Sequence, residues 1–191
     1  MRKLLLFFAA VGLMAGFAGR VMAQNAMTDN DNHHLNLNIG EIALLAIYGS
    51  GTTDITLAPT TTTPGTKIAA SDNTALYLNV SSVVTSAWAG EPLVETVDTR
   101  SILVKADVLV PGFDIKVAAT KIAGGEGTFG SAQGTAFALT TSDQPIVTGI
   151  GSCWTDVDAK GYQLTYSLVT NTYANLRVGN NLVHVTYTLT E

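Results

Sequence analysis

Apolar and polar residues alternate with a period of two along much of this chain, most cleanly towards residue 191. Tyr162, Leu164, Tyr166 and Leu168 fall on one face of a run whose other face is Gln163, Thr165 and Ser167. Val183, Val185, Tyr187 and Leu189 likewise oppose His184, Thr186, Thr188 and Thr190. Successive side chains of an extended backbone point to opposite sides. Both runs therefore predict strands with one covered and one wet face. Val178-Gly179-Asn180-Asn181 lies between them, and Gly-Asn suits a tight turn that needs positive φ. The expectation is an antiparallel hairpin.

The same period recurs upstream. Leu35, Leu37 and Ile39 alternate with Asn36, Asn38 and Gly40, and residues 42–48 are continuously apolar. The alternation before that run and Gly49-Ser50-Gly51 after it favour strand over helix. Residues 54–58 are a short strand candidate, followed by a loop in which Pro59 and Pro64 bracket four threonines. Residues 75–84 place Leu76, Leu78 and Val80 opposite Tyr77 and Asn79. Ile102, Val104, Ala106, Val108 and Val110 alternate with Ser101, Lys105 and Asp107; Phe113, Ile115, Val117 and Ala119 alternate with Asp114 and Lys116. Pro111-Gly112 between these two runs predicts a second hairpin. Two further candidates lie at residues 135–140 and 145–150. No sustained helical period appears after residue 23. The pattern predicts an all-β, antiparallel sandwich of about nine or ten short strands.

Composition adds a compartment. Arg2 and Lys3 precede an apolar stretch at residues 4–18, and Val21-Met22-Ala23 suits a cleavage site, so residues 1–23 read as an export signal with Gln24 as the new N-terminus. The apolar stretch is short of the roughly 20 residues of a membrane span. The one cysteine, Cys153, leaves no lipid attachment point near the cut. Residues 24–34 are polar and predict a mobile arm, with residues 35–191 as a single domain. Without residues 1–23, which hold Arg2, Lys3 and Arg20 of the ten Lys and Arg, seven cations remain against fifteen Asp and Glu, a formal charge of −8. Those seven are scattered singly, which argues against nucleic acid and anionic lipid as partners. A domain of this size can bury about 70% of its unfolded surface and needs no disulfide. Cys153 reads as a small buried hydrophobe, with an intermolecular disulfide as the alternative.

Candidate chemistry is sparse. Gly124-Gly125-Glu126-Gly127-Thr128-Phe129-Gly130 lacks the Gly-Lys-Ser/Thr of a phosphate loop and opens no predicted helix, so it reads as a flexible or bulged hairpin connection. Asp156-x-Asp158-x-Lys160-Gly161 resembles the start of a calcium loop, but Lys160 would repel the ion and Ser167 stands where a bidentate glutamate is needed. A polar turn is the expectation. Asp29, Asp31, His33 and His34 sit in the polar arm. Asn79-Val80-Ser81 matches the glycosylation triplet, a pattern frequent by chance. Nucleophilic catalysis needs a nucleophile, a base and an orienting group; Cys153 has no cationic neighbour in sequence and His184 lies on the wet face of its strand. The expectation is a protein with no catalytic, cofactor-binding or metal-ligating residues.

Gly161-Tyr162-Gln163-Leu164-Thr165-Tyr166 and Val183-His184-Val185-Thr186-Tyr187-Thr188 resemble the closing strands of secreted fimbrial subunits, the chaperone–usher pilins and the related spore-coat-U-type domains. The chain as a whole also resembles small secreted bacterial β proteins, which implies no activity. The fimbrial resemblance implies an immunoglobulin-like sandwich lacking one strand, completed by an N-terminal extension of the next subunit. Leu35, Leu37 and Ile39 would carry that extension. The internal disulfide those subunits often have is impossible with one cysteine. An exported structural or adhesive surface protein that self-associates by strand addition is one expectation. The other is a monomeric module for carbohydrate or a surface component, with Trp88, Trp154 and Tyr173 as the aromatics on which a sugar would stack.

Overall fold

The computed structural model describes residues 34–37, 39–85 and 98–191. The chain divides into a first unit, Met1–Asn38, and a compact unit, Ile39–Glu191. The expected export signal and Trp88 lie outside the described residues, as does nearly all of the expected polar arm. Of the first unit, residues 34–37 have no regular structure and are exposed.

The compact unit is built almost wholly of strands. They are β1 (Ile42–Gly49), β2 (Ser71–Val83), β3 (Arg100–Ala106), β4 (Phe113–Lys121), β5 (Glu126–Gly127), β6 (Ser131–Ala132), β7 (Phe137–Ala138), β8 (Gln144–Ile150), β9 (Cys153–Trp154), β10 (Tyr162–Thr170) and β11 (Val185–Thr190). They form two sheets, antiparallel throughout. In the larger, β2 gives one edge to β1 and the other to β10 and then β9; β10 pairs with β4, β4 with β7, and β9 with β5. The smaller runs β11–β3–β8–β6. The expected β-sandwich is present at this level, and four of its eleven described strands are only two residues long.

The period-two pattern explains the core. On β2, Leu76, Leu78, Val80 and Ser82 are buried while Tyr77, Asn79 and Ser81 are half-exposed. On β10, Tyr162, Leu164, Tyr166 and Leu168 point inward. Ile102, Val104, Val147 and Ile150 of the smaller sheet join Leu76, Leu78, Val80, Val117, Tyr162, Leu164 and Tyr166 in one apolar cluster. Each fully buried aliphatic side chain contributes about 1.5–3 kcal/mol.

Neither predicted hairpin forms. β10 belongs to the larger sheet and β11 to the smaller, with residues 171–184 crossing between them. Gly179 lacks positive φ. The two alternating runs face each other across the core, where the hydroxyls of Tyr166 and Tyr187 meet at 2.6 Å. β3 and β4 are separated in the same way. Pro111-Gly112 turns the chain from one sheet to the other, with Phe113 N–H donating to Val110 at 3.2 Å. Alternation gives each strand an inward face, but it does not distinguish neighbours in a sheet from opposite numbers across a core. Residues 54–58 form no strand, although Ile55 and Leu57 pack against the core. Residues 35–41 likewise contribute no described strand, and the ladder begins at Ile42.

The glycine-rich connection has a steric cause. A Cβ on Gly125 would lie 2.7 Å from Cα of Thr155, one on Gly127 2.7 Å from Cα of Cys153, and one on Gly130 2.7 Å from the carbonyl carbon of Gly149. This segment lies flat on the backbone of residues 148–155, and all three glycines have positive φ. It is not the expected hairpin connection, because it carries the chain from the larger sheet at β5 to the smaller at β6.

Candidate functional site

Leu35, Leu37 and Ile39, the residues expected to add a strand to a neighbour, are 74%, 69% and 65% exposed. They lead directly into β1, which forms one edge of the larger sheet. All eight β1 residues pair with β2 without a bulge, from Ile42 opposite Val83 to Gly49 opposite Leu76. That register sends Ala43, Leu45, Ile47 and Gly49 to the core side with Leu76, Leu78 and Val80. Ile42, Leu44, Ala46 and Tyr48 take the outer side. Ile42, Leu44 and Ile47 stay 41%, 63% and 37% exposed. The Tyr48 and Tyr77 rings meet on the outer face with centroids 6.3 Å apart. β1 thus has the composition of a strand covered on both faces, yet no strand pairs with its second edge among the described residues.

β11 is the corresponding edge of the smaller sheet. It pairs with β3 alone, and Val185, Tyr187 and Leu189 are only partly buried against the core. Its other face carries exposed His184, Thr186 and Thr188. His184 has its backbone N–H on the Asp107 carboxylate at 2.9 Å.

Arg100 fastens these elements at one end of the sandwich. It is 2% exposed. Its Nη1 donates to the carbonyls of Ile42 at 2.7 Å and Val83 at 3.0 Å and to the Ser82 hydroxyl at 3.0 Å. Nη2 donates to Glu191 at 2.9 Å and lies 3.6 Å from Glu41. Nε has no partner among the described residues. By sequence alone Arg100 is one of the seven singly scattered cations. The missed signal is its phase: Arg100 stands in step with Ile102, Val104 and Ala106, on the inward side of β3.

A second polar cluster surrounds the turn at residues 155–161. Asp156 and Asp158 both have positive φ. The Val157 backbone N–H at 2.9 Å, then Lys160 at 3.1 Å, hold the exposed Asp156 carboxyl below its usual range. Lys121 donates to the carbonyls of Ile122 and Gly124 and sits 4.3 Å from the centre of the Phe129 ring. Desolvation lowers its pKa. Tyr162 donates to the Phe129 carbonyl. Cys153 is buried, and loss of solvent raises its thiol pKa against the opposing pull of Lys121, which is the opposite of what activates a nucleophile. Asp156 and Lys160 neutralise each other, and among the described residues no three His, Cys, Asp or Glu gather as metal ligands. The Asn79 amide of the glycosylation triplet donates to the Asp158 carbonyl at 3.1 Å.

Of the aromatics suggested for sugar stacking, the two described, Trp154 and Tyr173, lie far apart. Trp154, 49% exposed, sits on β9 opposite Ser81. Tyr173, 54% exposed, lies in a 3-10 turn at Tyr173–Asn175, beyond the far end of β10. The nine residues of β10 separate them by roughly 30 Å at 3.3 Å per residue. A cavity of 320 Å³ is lined by Leu109, Phe113, Asp114, Asn171, Thr172 and Asn175 among others; Tyr173 is not in its lining. Asn171 donates there to Asp114 at 2.6 Å. No helix among the described residues is long and apolar enough to cross a membrane. Comparison of the chain with protein-family models, with curated proteins and with solved structures finds no match.

Proposed function

We propose that this protein is an exported, non-catalytic structural or adhesive surface subunit that assembles by β-strand addition. The added strand is the segment bearing Leu35, Leu37 and Ile39, and the acceptor is a free sheet edge of the next copy's immunoglobulin-like sandwich. The supporting observation is the exposure of all three residues, 74%, 69% and 65%, on a segment with the period of a half-covered strand. Main-chain hydrogen bonds would supply affinity and the three alternate side chains specificity. Electron microscopy of the purified exported protein tests this. Filaments are expected, and deletion of residues 25–40 should abolish them. A protein that remains monomeric at every concentration would sink the reading.

A second reading, a monomeric carbohydrate- or surface-binding module, draws on the 320 Å³ cavity lined by Thr172 and Asn175, which flank exposed Tyr173 in sequence, where Asp114, Asn171 and Asn175 offer hydrogen bonds beside Leu109, Phe113 and Ile115. Glycan-array binding that Tyr173→Ala and Asn171→Ala abolish would favour it over the first.

A further inference from the structure

We propose that the free edge of β1 pairs with β1 of a second copy, antiparallel about a two-fold axis, so that the larger sheets of two molecules join into one. The sheet edges differ in a way that singles β1 out. β5, β6 and β7 are two residues long and offer almost no ladder. β11 offers six residues but backs them with a threonine-rich outer face. β1 offers eight, in unbroken register with β2, and both its faces are apolar. Exposed edges are ordinarily blunted by charge, proline or a bulge; residues 42–49 carry none of these.

The occupant must bring a strand that is itself apolar on both faces. Among the described strands with a free edge only β1 meets that requirement, so the surface is complementary to itself. Charge agrees. The chain carries a net −5, yet residues 42–53 hold no Asp, Glu, Lys, Arg or His. Two copies meeting there escape the repulsion their net charge imposes elsewhere. Antiparallel pairing also places the two Glu41 residues at opposite ends of the shared ladder, and each lies near its own Arg100. A contact of this kind is isologous and closes on itself. It needs nothing from Leu35, Leu37 or Ile39, which separates it from the filament-forming contact above. An eight-residue ladder with its flanking side chains lies at the small end of stable interfaces, so the dimer should respond to concentration.

The test uses the full exported chain carrying Leu35→Lys, Leu37→Lys and Ile39→Lys, which blocks strand addition by that segment. Sedimentation should show a species of twice the monomer mass that dissociates on dilution. Adding Leu44→Lys and Ala46→Lys, both on the outer face, should weaken association at least about tenfold. Circular dichroism should match that of the parent. Hydrogen exchange in β1 should slow as concentration rises in the parent alone. Three results would overturn the proposal: a monomer throughout, a dimer indifferent to the β1 lysines, or β1 amides protected equally at all concentrations, which would mean that its own chain covers the edge. If the outer-face lysines prevent folding, Thr188→Lys on β11 and hydrogen exchange of the parent decide between the two edges: β1 must gain protection and the β11 variant must still dimerise.

Discussion

Single side chains fix this sandwich more than its low charge content suggests. Arg100 is a buried cation whose Nη groups are satisfied by two strand carbonyls, a buried serine and a glutamate. Removing it strands the Ser82 hydroxyl and the Val83 carbonyl, and Arg100→Ala should cost about 1–3 kcal/mol in urea unfolding. Arg100→Lys should recover little, because an ammonium cannot reproduce the fork that reaches Ile42, Val83 and Glu191 together. A loss below about 1 kcal/mol would show that solvent replaces the guanidinium. The Tyr166–Tyr187 bond makes a separate prediction. Each Tyr→Phe change leaves the other hydroxyl buried and unpaired, costing about 1–3 kcal/mol. The double change should cost clearly less than the two singles combined, since nothing remains to be satisfied. Strict additivity would mean that the hydroxyls have other partners. Both features were half legible in sequence. The phase of Tyr166 and Tyr187 put them on inward faces, and the phase of Arg100 did the same. Nothing in a single chain says which inward-facing polar groups will meet, because Tyr166 and Tyr187 lie on different sheets and Arg100 draws on β1, β2 and the residue after β11.

At the scale of elements, strands were readable and their partners were not. β2, β4, β8 and β10 lie close to where alternation puts them. β1 was placed by its apolar run, but its position at an edge was invisible, since continuous hydrophobicity ordinarily marks a strand with neighbours on both sides. The candidate donor residues Leu35, Leu37 and Ile39 were found by period alone, and the structure adds their exposure. The hairpins failed because a turn signal reports that the chain reverses, not whether it returns in the same sheet. The glycine-rich segment illustrates the opposite case, where composition had a physical reading that only coordinates could supply. Gly127→Ala and Gly130→Ala force a Cβ into backbone at positive φ and should each destabilise by about 2 kcal/mol or more. Gly134→Ala, with nothing within 4 Å of its Cβ position, should stay within about 0.5 kcal/mol of the parent. Equal effects at all three sites in thermal or urea unfolding would mean that residues 125–130 do not lie on residues 148–155.

For the whole molecule, alkaline pH is the natural probe. Burial pushes Tyr166 up to about 12 and raises Tyr162 and Tyr187 well above the usual tyrosine range. In the unfolded chain each titrates near 10. A group whose pKa is raised by folding contributes stability that is fully present below the unfolded value and declines as pH climbs towards the folded one. Unfolding above pH 10 therefore releases protons, and stability should fall steadily from about pH 10 to 12. Tyrosinate absorbance should rise in step with loss of circular dichroism. A rise that runs to completion in the folded protein near pH 10 would contradict the desolvation of these three hydroxyls. The guanidinium that closes one end of the sandwich also sets how the domain would bear tension. Arg100 grips the carbonyl at the head of the first strand and the carboxylate of the residue after the last. A load entering at Glu41 and leaving at Glu191 passes from one to the other through this single side chain, bypassing every ladder between them. β1 can be peeled from β2 only after that grip fails, so Arg100 is the fuse of any chain in which such domains are pulled end to end.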